Sequence, residues 1–119
     1  GGAITGPDGL VYVTSNAEKI STNEKFGFLR AYDMETGKLV WSNRLEMPAN
    51  NAPSVGKLGS ADEGNRSVVI AIGENPTFPF PANLIFMGSQ EPVWLSKVVA
   101  FDATTGQRRD WEFSPPPHQ

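Results

Sequence analysis

One pattern occurs twice in this chain, and it constrains the fold more than any other feature. Residues 31–41 read A-Y-D-M-E-T-G-K-L-V-W, and residues 100–111 read A-F-D-A-T-T-G-Q-R-R-D-W, with the second tryptophan one residue later. A pattern of this length repeated within 119 residues indicates stacked copies of one supersecondary unit. Each copy predicts a strand, a tight turn at Thr-Gly and a returning strand that carries the tryptophan.

The residue types of the motif indicate structural work rather than catalysis. The motif comprises Ala31, Asp33, Thr36, Gly37 and Trp41 in the first copy, and Ala100, Asp102, Thr105, Gly106 and Trp111 in the second. The aspartate can accept hydrogen bonds from turn N–H groups, the threonine hydroxyl can close the turn, and the glycine permits a positive φ. Each tryptophan offers an apolar face to cover a neighbouring unit and one N–H that needs an acceptor. We expect the motif to hold sheets together; ligand contact is the alternative.

The distribution of glycine and proline favours short strands over helices. The 12 glycines and 10 prolines cluster between runs of β-type residues, and no convincing amphipathic helix is found. The predicted strands cover residues 2–6, 10–15, 27–34, 39–45, 52–58, 66–73, 97–103 and 109–113. The predicted fold class is therefore all-β, with two four-stranded antiparallel units at 1–45 and 46–113 and a proline-rich tail at 114–119.

Two connections are longer than a hairpin needs. Residues 16–26 link the second and third predicted strands of the first unit, and an insertion at 74–96 occupies the same place in the second. In an up-and-down unit these connections share an edge with the link between units at 46–51, and long loops on a rigid scaffold often carry function. The run of proline, phenylalanine and aliphatic residues at 76–87 predicts either a surface for a protein partner or a segment packed against the sheet edge.

Composition and motifs argue against several classes of function. A net charge of −3 without a large basic cluster argues against nucleic-acid binding. No apolar run is long enough to span a membrane, and the absence of cysteine excludes disulfides and thiolate chemistry. No nucleophile elbow, dinucleotide fingerprint, Walker pattern or metal motif is found. The chain begins inside a strand pattern without Met, which indicates a cleaved or excerpted piece.

The repeated pattern resembles the tryptophan-docking motif of quinoprotein dehydrogenases, β-propellers that carry pyrroloquinoline quinone (PQQ). Further segments resemble the closing blades of the membrane-type glucose dehydrogenases of that family, namely residues 1–5, 9–13, 29–33, 44–53, 67–73 and 98–101. The resemblance implies two neighbouring blades of an eight-bladed propeller. The remaining blades would come from the same precursor or from other chains. It also implies a periplasmic or extracytoplasmic location.

The resemblance also implies where a cofactor site would lie. In these glucose dehydrogenases the second-to-third connection of the closing blade carries Gly-Gly-His-Gly, whose histidine lies near the quinone. Here residues 72–76 read I-G-E-N-P, so Glu74 or Asn75 takes the place of that histidine. Calcium, the family's bridging ion, takes carboxylate and amide oxygens, so either residue is a candidate ligand; a solvated loop is the alternative. Asn50 and Asn51, which replace a Gly-Gly-type run, are candidates to contact a sugar or a quinone carbonyl, or are ordinary turn residues.

Two functions follow from this interpretation. The first is enzymatic: part of a PQQ-dependent dehydrogenase that oxidises an alcohol or sugar hydroxyl and passes electrons to a quinone or cytochrome. The cofactor supplies the difficult chemistry, and the catalytic residues lie on other blades, so the segment would not be active alone. The second is a non-catalytic propeller that serves as a scaffold or assembly subunit. The docking motifs fit both functions, whereas the missing histidine and the apolar run at 76–87 favour the second.

Overall fold

The computed structural model describes residues 2–6, 8–58, 66–74 and 95–114, except for the side chains of Glu74 and Leu95. The strands are β1 Ala3–Thr5, β2 Leu10–Lys19, β3 Glu24–Asp33, β4 Leu39–Leu45, β5 Ser54–Gly56, β6 Ser67–Glu74, β7 Leu95–Asp102 and β8 Arg108–Phe113. They form two four-stranded antiparallel sheets in the orders β1-β2-β3-β4 and β5-β6-β7-β8. The all-β class and the two groups of four strands are thus confirmed. This part of the chain contains no helix that could cross a membrane.

Alternation along the strands decides which face of each sheet is buried. On β2, Leu10, Tyr12 and Thr14 are buried, whereas Val11 and Val13 are half-buried. Successive side chains of a strand point to opposite faces of the sheet, so one face of the first sheet forms the interior. In the second sheet the buried hydrophobic residues on β6 are Val68, Ile70 and Ile72.

The buried faces of the two sheets meet in one hydrophobic core. Leu29 and Trp41 contribute from the first sheet, and Val99 and Phe101 from the second. The Trp41 ring lies 5.9 Å from that of Tyr12 and 6.4 Å from that of Phe101, measured between centroids. Full burial of a large apolar side chain contributes roughly 1.5–3 kcal/mol. Trp41 therefore connects the two sheets, because its ring packs against aromatic residues of both.

Residues 16–26 mostly belong to strands, so the prediction of a long connection there is wrong. β2 continues to Lys19 and β3 begins at Glu24, and these two residues lie opposite each other in the ladder. The link is the turn at residues 20–23, in which Asn23 has a φ of 56°. Asparagine tolerates this left-handed conformation better than most residues.

Side-chain pairs stabilise this extended ribbon although it is largely polar. Phe26 and Phe28, two residues apart on β3, pack edge to face with their ring centroids 5.5 Å apart. The guanidinium of Arg44 lies 3.7 Å from the Phe26 ring centroid and forms an ion pair with Glu24. The Arg44 contacts run from β4 to β3, and because cross-strand pairs are the unit of sheet stabilisation, they support the start of β3 where burial is slight.

The second sheet differs from expectation mainly at strand ends. Glu74 lies opposite Leu95, and Gly73 lies opposite Ser96, so the insertion predicted at 74–96 includes three strand residues. β5 is shorter than the predicted strand at 52–58. Residues 75–94, which include the run at 76–87, and residues 115–119 of the tail lie outside the described residues.

Candidate functional site

The first copy of the motif forms a tight turn held by its own side chains. Asp33 Oδ1 accepts hydrogen bonds from the N–H groups of Glu35 (2.8 Å) and Thr36 (3.0 Å). Lys38 N–H donates to Thr36 Oγ1 (3.2 Å), and Gly37 has a φ of 74°. The N–H groups of Thr36 and Glu35 lower the pKa of Asp33, since they favour the charged carboxylate.

The second copy repeats this turn. Asp102 Oδ1 accepts hydrogen bonds from the N–H groups of Thr104 and Thr105, both at 2.9 Å. Gln107 N–H donates to Thr105 Oγ1 at 3.2 Å, and Gly106 has a φ of 79°. Burial alone would raise the pKa of Asp102, but these backbone donors and the nearby guanidinium of Arg109 outweigh it and lower the pKa.

The tryptophan of the first motif docks on the turn of the second. Trp41 is only 8% exposed, and its Nε1–H donates to the carbonyl oxygen of Ala103 at 3.1 Å. The hydroxyl of Tyr12 donates to the same oxygen at 3.2 Å. A Cβ atom on Gly106 would lie 2.5 Å from Trp41 Cδ2, so the indole requires glycine there. Asn43 Nδ2 completes the contact by donating to the Gly106 carbonyl at 2.6 Å.

The remaining motif residues occupy two different environments. Ala31 and Ala100 are fully buried, and Ala31 lies opposite Trp41 in the ladder, where a small side chain leaves room for the indole. Trp111 is 41% exposed. The expected cover of a neighbouring unit by Trp111 is not seen within the described part of the chain.

The candidate cofactor-binding residues that the structure describes lie along one edge of the molecule. Gly73 N–H donates to the carbonyl oxygen of Pro48 at 2.9 Å, which places the end of β6 beside the connection between the sheets. Asn50 and Asn51 are exposed on that connection, and Glu74 is the last residue of β6. Asn75 lies outside the described residues. Three of the four candidate residues therefore lie at this edge. For Glu74 the structure describes the backbone position.

Asn16, which the sequence analysis did not single out, holds this edge together. Its Oδ1 accepts a hydrogen bond from Ala49 N–H at 2.8 Å, and its Nδ2 donates to Asn50 Oδ1 at 2.7 Å. Thr14 Oγ1 donates to the carbonyl oxygen of Asn51 at 3.1 Å. The amide oxygen of Asn50 therefore already has a structural partner. The sequence predicts a loop at Asn16, whereas the residue lies on β2, and no local pattern indicates its partners.

A cluster of charged residues also joins the connection to the second sheet. Glu46 accepts from Lys97 Nζ (2.7 Å) and from Arg108 Nη1 through both carboxylate oxygens (2.9 and 3.1 Å). Glu112 pairs with the same two cations at 3.5 and 3.2 Å. Burial alone would raise the pKa of Glu46, but the hydrogen bonds from Arg108 and Lys97 outweigh it and lower the pKa to about 2. No local pattern predicts this cluster, because Glu46 and Arg108 are 62 residues apart.

The described residues do not form a complete site for calcium and PQQ. Amide and carboxylate oxygens are the ligand types that calcium takes, so Asn51 suits such a site in chemical type. However, no group of three or more His, Cys, Asp or Glu residues that could hold a metal ion is found among the described residues. Asn50 also directs its amide oxygen to Asn16. A complete site would need ligands from outside the described residues.

Comparisons of the chain with protein-family models, curated proteins and solved structures found no match. The functional argument therefore rests on the repeated motif and on the geometry of the two sheets.

Proposed function

We propose that the two sheets are neighbouring blades of a quinoprotein-type β-propeller. In this proposal the chain forms part of a PQQ-dependent dehydrogenase that oxidises an alcohol or sugar hydroxyl and passes the electrons to a quinone or cytochrome. The observation that carries the proposal is the seat of Trp41 on the Ala103–Gly106 turn of the next sheet. This contact joins two copies of one sequence motif, as expected for a repeat architecture in which each unit contacts its neighbours.

The order of the strands supports the propeller interpretation. Each sheet is an antiparallel meander whose strands follow chain order, which is the arrangement of a propeller blade. The connection between the sheets and the end of β6 share one edge through the bond between Gly73 and Pro48. Long connections on such an edge are suited to ligand contact.

The residues of this chain would position the edge rather than carry out the reaction. PQQ, when bound, supplies the chemistry by accepting the electrons removed from the hydroxyl. Trp41 fixes the spacing of the sheets, and Thr14 and Asn16 fix the path of residues 49–51. That path leaves the Asn51 side chain on the exposed edge, where its amide can contact a bound ligand. The catalytic residues would lie on other blades, in an extracytoplasmic protein.

A non-catalytic scaffold is the second candidate. The observation that favours it is the hydrogen bond that ties the Asn50 amide to Asn16, because it gives this candidate residue a structural role. The replacement of the family's histidine by Glu74 or Asn75 points in the same direction. In this case the docking motifs would serve assembly only.

Native mass spectrometry of the natural protein separates these functions. The dehydrogenase proposal expects a bound species with the mass of PQQ, with calcium, that is released on denaturation. A stable assembly with partner chains and no quinone would refute it and leave the scaffold.

Titration with PQQ in the presence of calcium then tests the edge. We expect Asn51→Ala to weaken PQQ binding to the natural protein. Gln107→Ala is the matched control, since it removes an exposed amide from the turn at the opposite end of the strands. Equal effects of the two substitutions would exclude the edge as the binding site.

A further inference from the structure

We propose that Glu46 is a positioning residue for the edge that carries Asn50 and Asn51. Its ion pairs with the second sheet hold the connection 46–51 in place, and with it the Asn51 side chain. That Asn51 contacts a ligand rests on the proposed function, whereas the restraint by Glu46 rests only on contacts within the chain.

The first half of the connection is held by the second sheet. Glu46, which directly follows β4 of the first sheet, pairs with Lys97 (2.7 Å) and Arg108 (2.9 Å) of the second. The Pro48 carbonyl then accepts a hydrogen bond from Gly73 N–H at 2.9 Å. These contacts reach β6, β7 and β8, so the connection crosses from one sheet to the other within its first three residues.

The second half of the connection returns to the first sheet. Ala49 N–H donates to Asn16 Oδ1 at 2.8 Å, and the Asn51 carbonyl accepts a hydrogen bond from Thr14 Oγ1 at 3.1 Å. A Cβ atom on Gly27 would lie only 3.3 Å from the Ala49 nitrogen, so the backbone passes directly over β3. Because the two halves are consecutive, a shift of the first half away from the second sheet pulls on the segment that carries Asn51.

Glu46 is suited to this role because its partners face the first sheet. It is the one charged residue of the connection, whose sequence is E-M-P-A-N-N. Lys97 lies opposite the core residue Ile72, and Arg108 lies opposite the core residue Phe101. Directly opposite residues of a ladder share a face of the sheet, so both cations lie on the face that packs on the first sheet. The Lys97 side chain is only 21% exposed, so its pair with Glu46 is screened less than a fully exposed pair.

A second carboxylate in the cluster does not replace Glu46. Glu112 contacts the same two cations at the longer distances of 3.5 and 3.2 Å, and it belongs to β8 of the second sheet. It therefore balances the charge of Lys97 and Arg108 but does not hold the connection. Glu46→Arg would place three cations around one carboxylate and repel the connection from the second sheet.

Charge reversal with a matched control tests this role. Glu46→Arg removes the two ion pairs and adds repulsion. Glu24→Arg is the control, because Glu24 also pairs with an arginine, Arg44, but lies on β3 outside the connection. Both variants change the net charge equally. In the double variant Glu46→Arg/Arg108→Glu, an ion pair of reversed polarity again joins the connection to the second sheet.

Hydrogen exchange at the amides of Ala49 and Gly73 measures how often the connection leaves its place, and circular dichroism verifies that each variant is folded. Exchange in Glu46→Arg should be faster by about thirtyfold or more, equivalent to about 2 kcal/mol for the loss of two ion pairs. Glu24→Arg should leave these rates unchanged, and the double variant should recover them. The exchange should also depend little on low concentrations of urea, because a local opening exposes much less surface than global unfolding.

Four results would overturn the proposal. Three of them are unchanged exchange in Glu46→Arg, an equal acceleration in Glu24→Arg, and no recovery in the double variant. The fourth is exchange that rises with urea as steeply as global unfolding, because Glu46 would then contribute only to overall stability. If Glu46→Arg is unfolded, Glu46→Gln and its control Glu24→Gln replace the pair under the same criteria.

Titration of the natural protein with PQQ tests the link to the ligand separately. Glu46→Arg should bind PQQ more weakly than Glu24→Arg, since the two variants have the same net charge and differ in whether the connection is held. Equal affinities would overturn the link between Glu46 and the ligand. A natural protein that binds no PQQ would refute the proposed function instead, and the exchange rates would still decide whether Glu46 holds the connection.

Discussion

Paired substitutions at Gly106 and Gly37 test whether Trp41 holds the two sheets together. The two glycines occupy the same position of the same turn and have φ values of 79° and 74°. Among the described residues, an indole contacts Gly106 but not Gly37. Alanine at each position therefore changes the backbone equally and differs in what the new methyl group meets.

The expected difference in stability follows from the contacts of Trp41. Each alanine costs about 1 kcal/mol because a Cβ atom is placed at positive φ. In Gly106→Ala the Cβ atom would also lie 2.5, 2.6 and 2.8 Å from atoms of the Trp41 ring. The ring has to move, which costs about 1–3 kcal/mol as overpacking and weakens a hydrogen bond to Ala103 worth about 1 kcal/mol. Gly106→Ala should therefore be less stable than Gly37→Ala by about 2–4 kcal/mol.

Urea unfolding followed by circular dichroism measures this difference as a change in the free energy of unfolding. A double-mutant cycle isolates the contact: in a Trp41→Ala background, Gly106→Ala should cost only the backbone term of about 1 kcal/mol. Equal losses for Gly106→Ala and Gly37→Ala would refute the argument that Trp41 is seated on the second turn.

Three further perturbations address the rest of the molecule. Glu46 has its pKa lowered from 4.5 to about 2, so its contribution is complete above about pH 4.5 and is lost as the pH falls towards 2. On acidification the wild type should thus lose more free energy of unfolding than Glu46→Gln does. The difference should be on the order of 1 kcal/mol, because the carboxylate is 40% exposed and screened by solvent. An equal change in the urea midpoint of the two proteins between pH 4.5 and about 2 would contradict this. Asn16→Ala should speed hydrogen exchange at the Ala49 amide, whose acceptor it removes, and unchanged exchange would exclude that role. Tyr12→Phe should lower the free energy of unfolding, measured by thermal unfolding, by only about 1 kcal/mol, since the Ala103 carbonyl keeps its hydrogen bond from Trp41. A much larger loss would contradict a role of the hydroxyl limited to this one hydrogen bond.

The two sheets were predictable because their determinants are local. Alternation along β2 and β6 shows which residues are buried, and the Thr-Gly turns mark where β3 and β7 reverse. The motif also contains the groups that close each turn. Nothing local, however, shows that Trp41 rests on Gly106 rather than on a turn of its own sheet. That pairing depends on how two separate sheets stack.

The errors arose where polar residues form ordered structure. The segment 16–26 lacks the apolar alternation expected of a strand, yet its two halves pair with each other in the ladder between β2 and β3, and Arg44 of β4 packs on Phe26. The same holds at the candidate edge, because Asn16 lies in a segment that the sequence predicts to be a loop, and its hydrogen bonds to Ala49 and Asn50 have no local sequence signal. The charged cluster of Glu46, Lys97 and Arg108 depends on contacts between residues distant in the sequence, which no single-sequence pattern reports.

The arrangement of strong contacts separates assembly from ligand binding in this molecule. At one end of the strands, Trp41 and the turn stabilised by Asp102 determine how the two sheets stack, and their polar groups are already engaged in hydrogen bonds. At the other end, Asn16 and Thr14 fix the backbone of residues 49–51 while leaving exposed side chains there. Substitutions at the first end should therefore change stability, whereas substitution of Asn51, whose side chain is exposed at the second end, should change what the edge binds. A ligand-binding defect caused by Asn51→Ala without loss of stability would fit this division, and a comparable loss of stability would count against it.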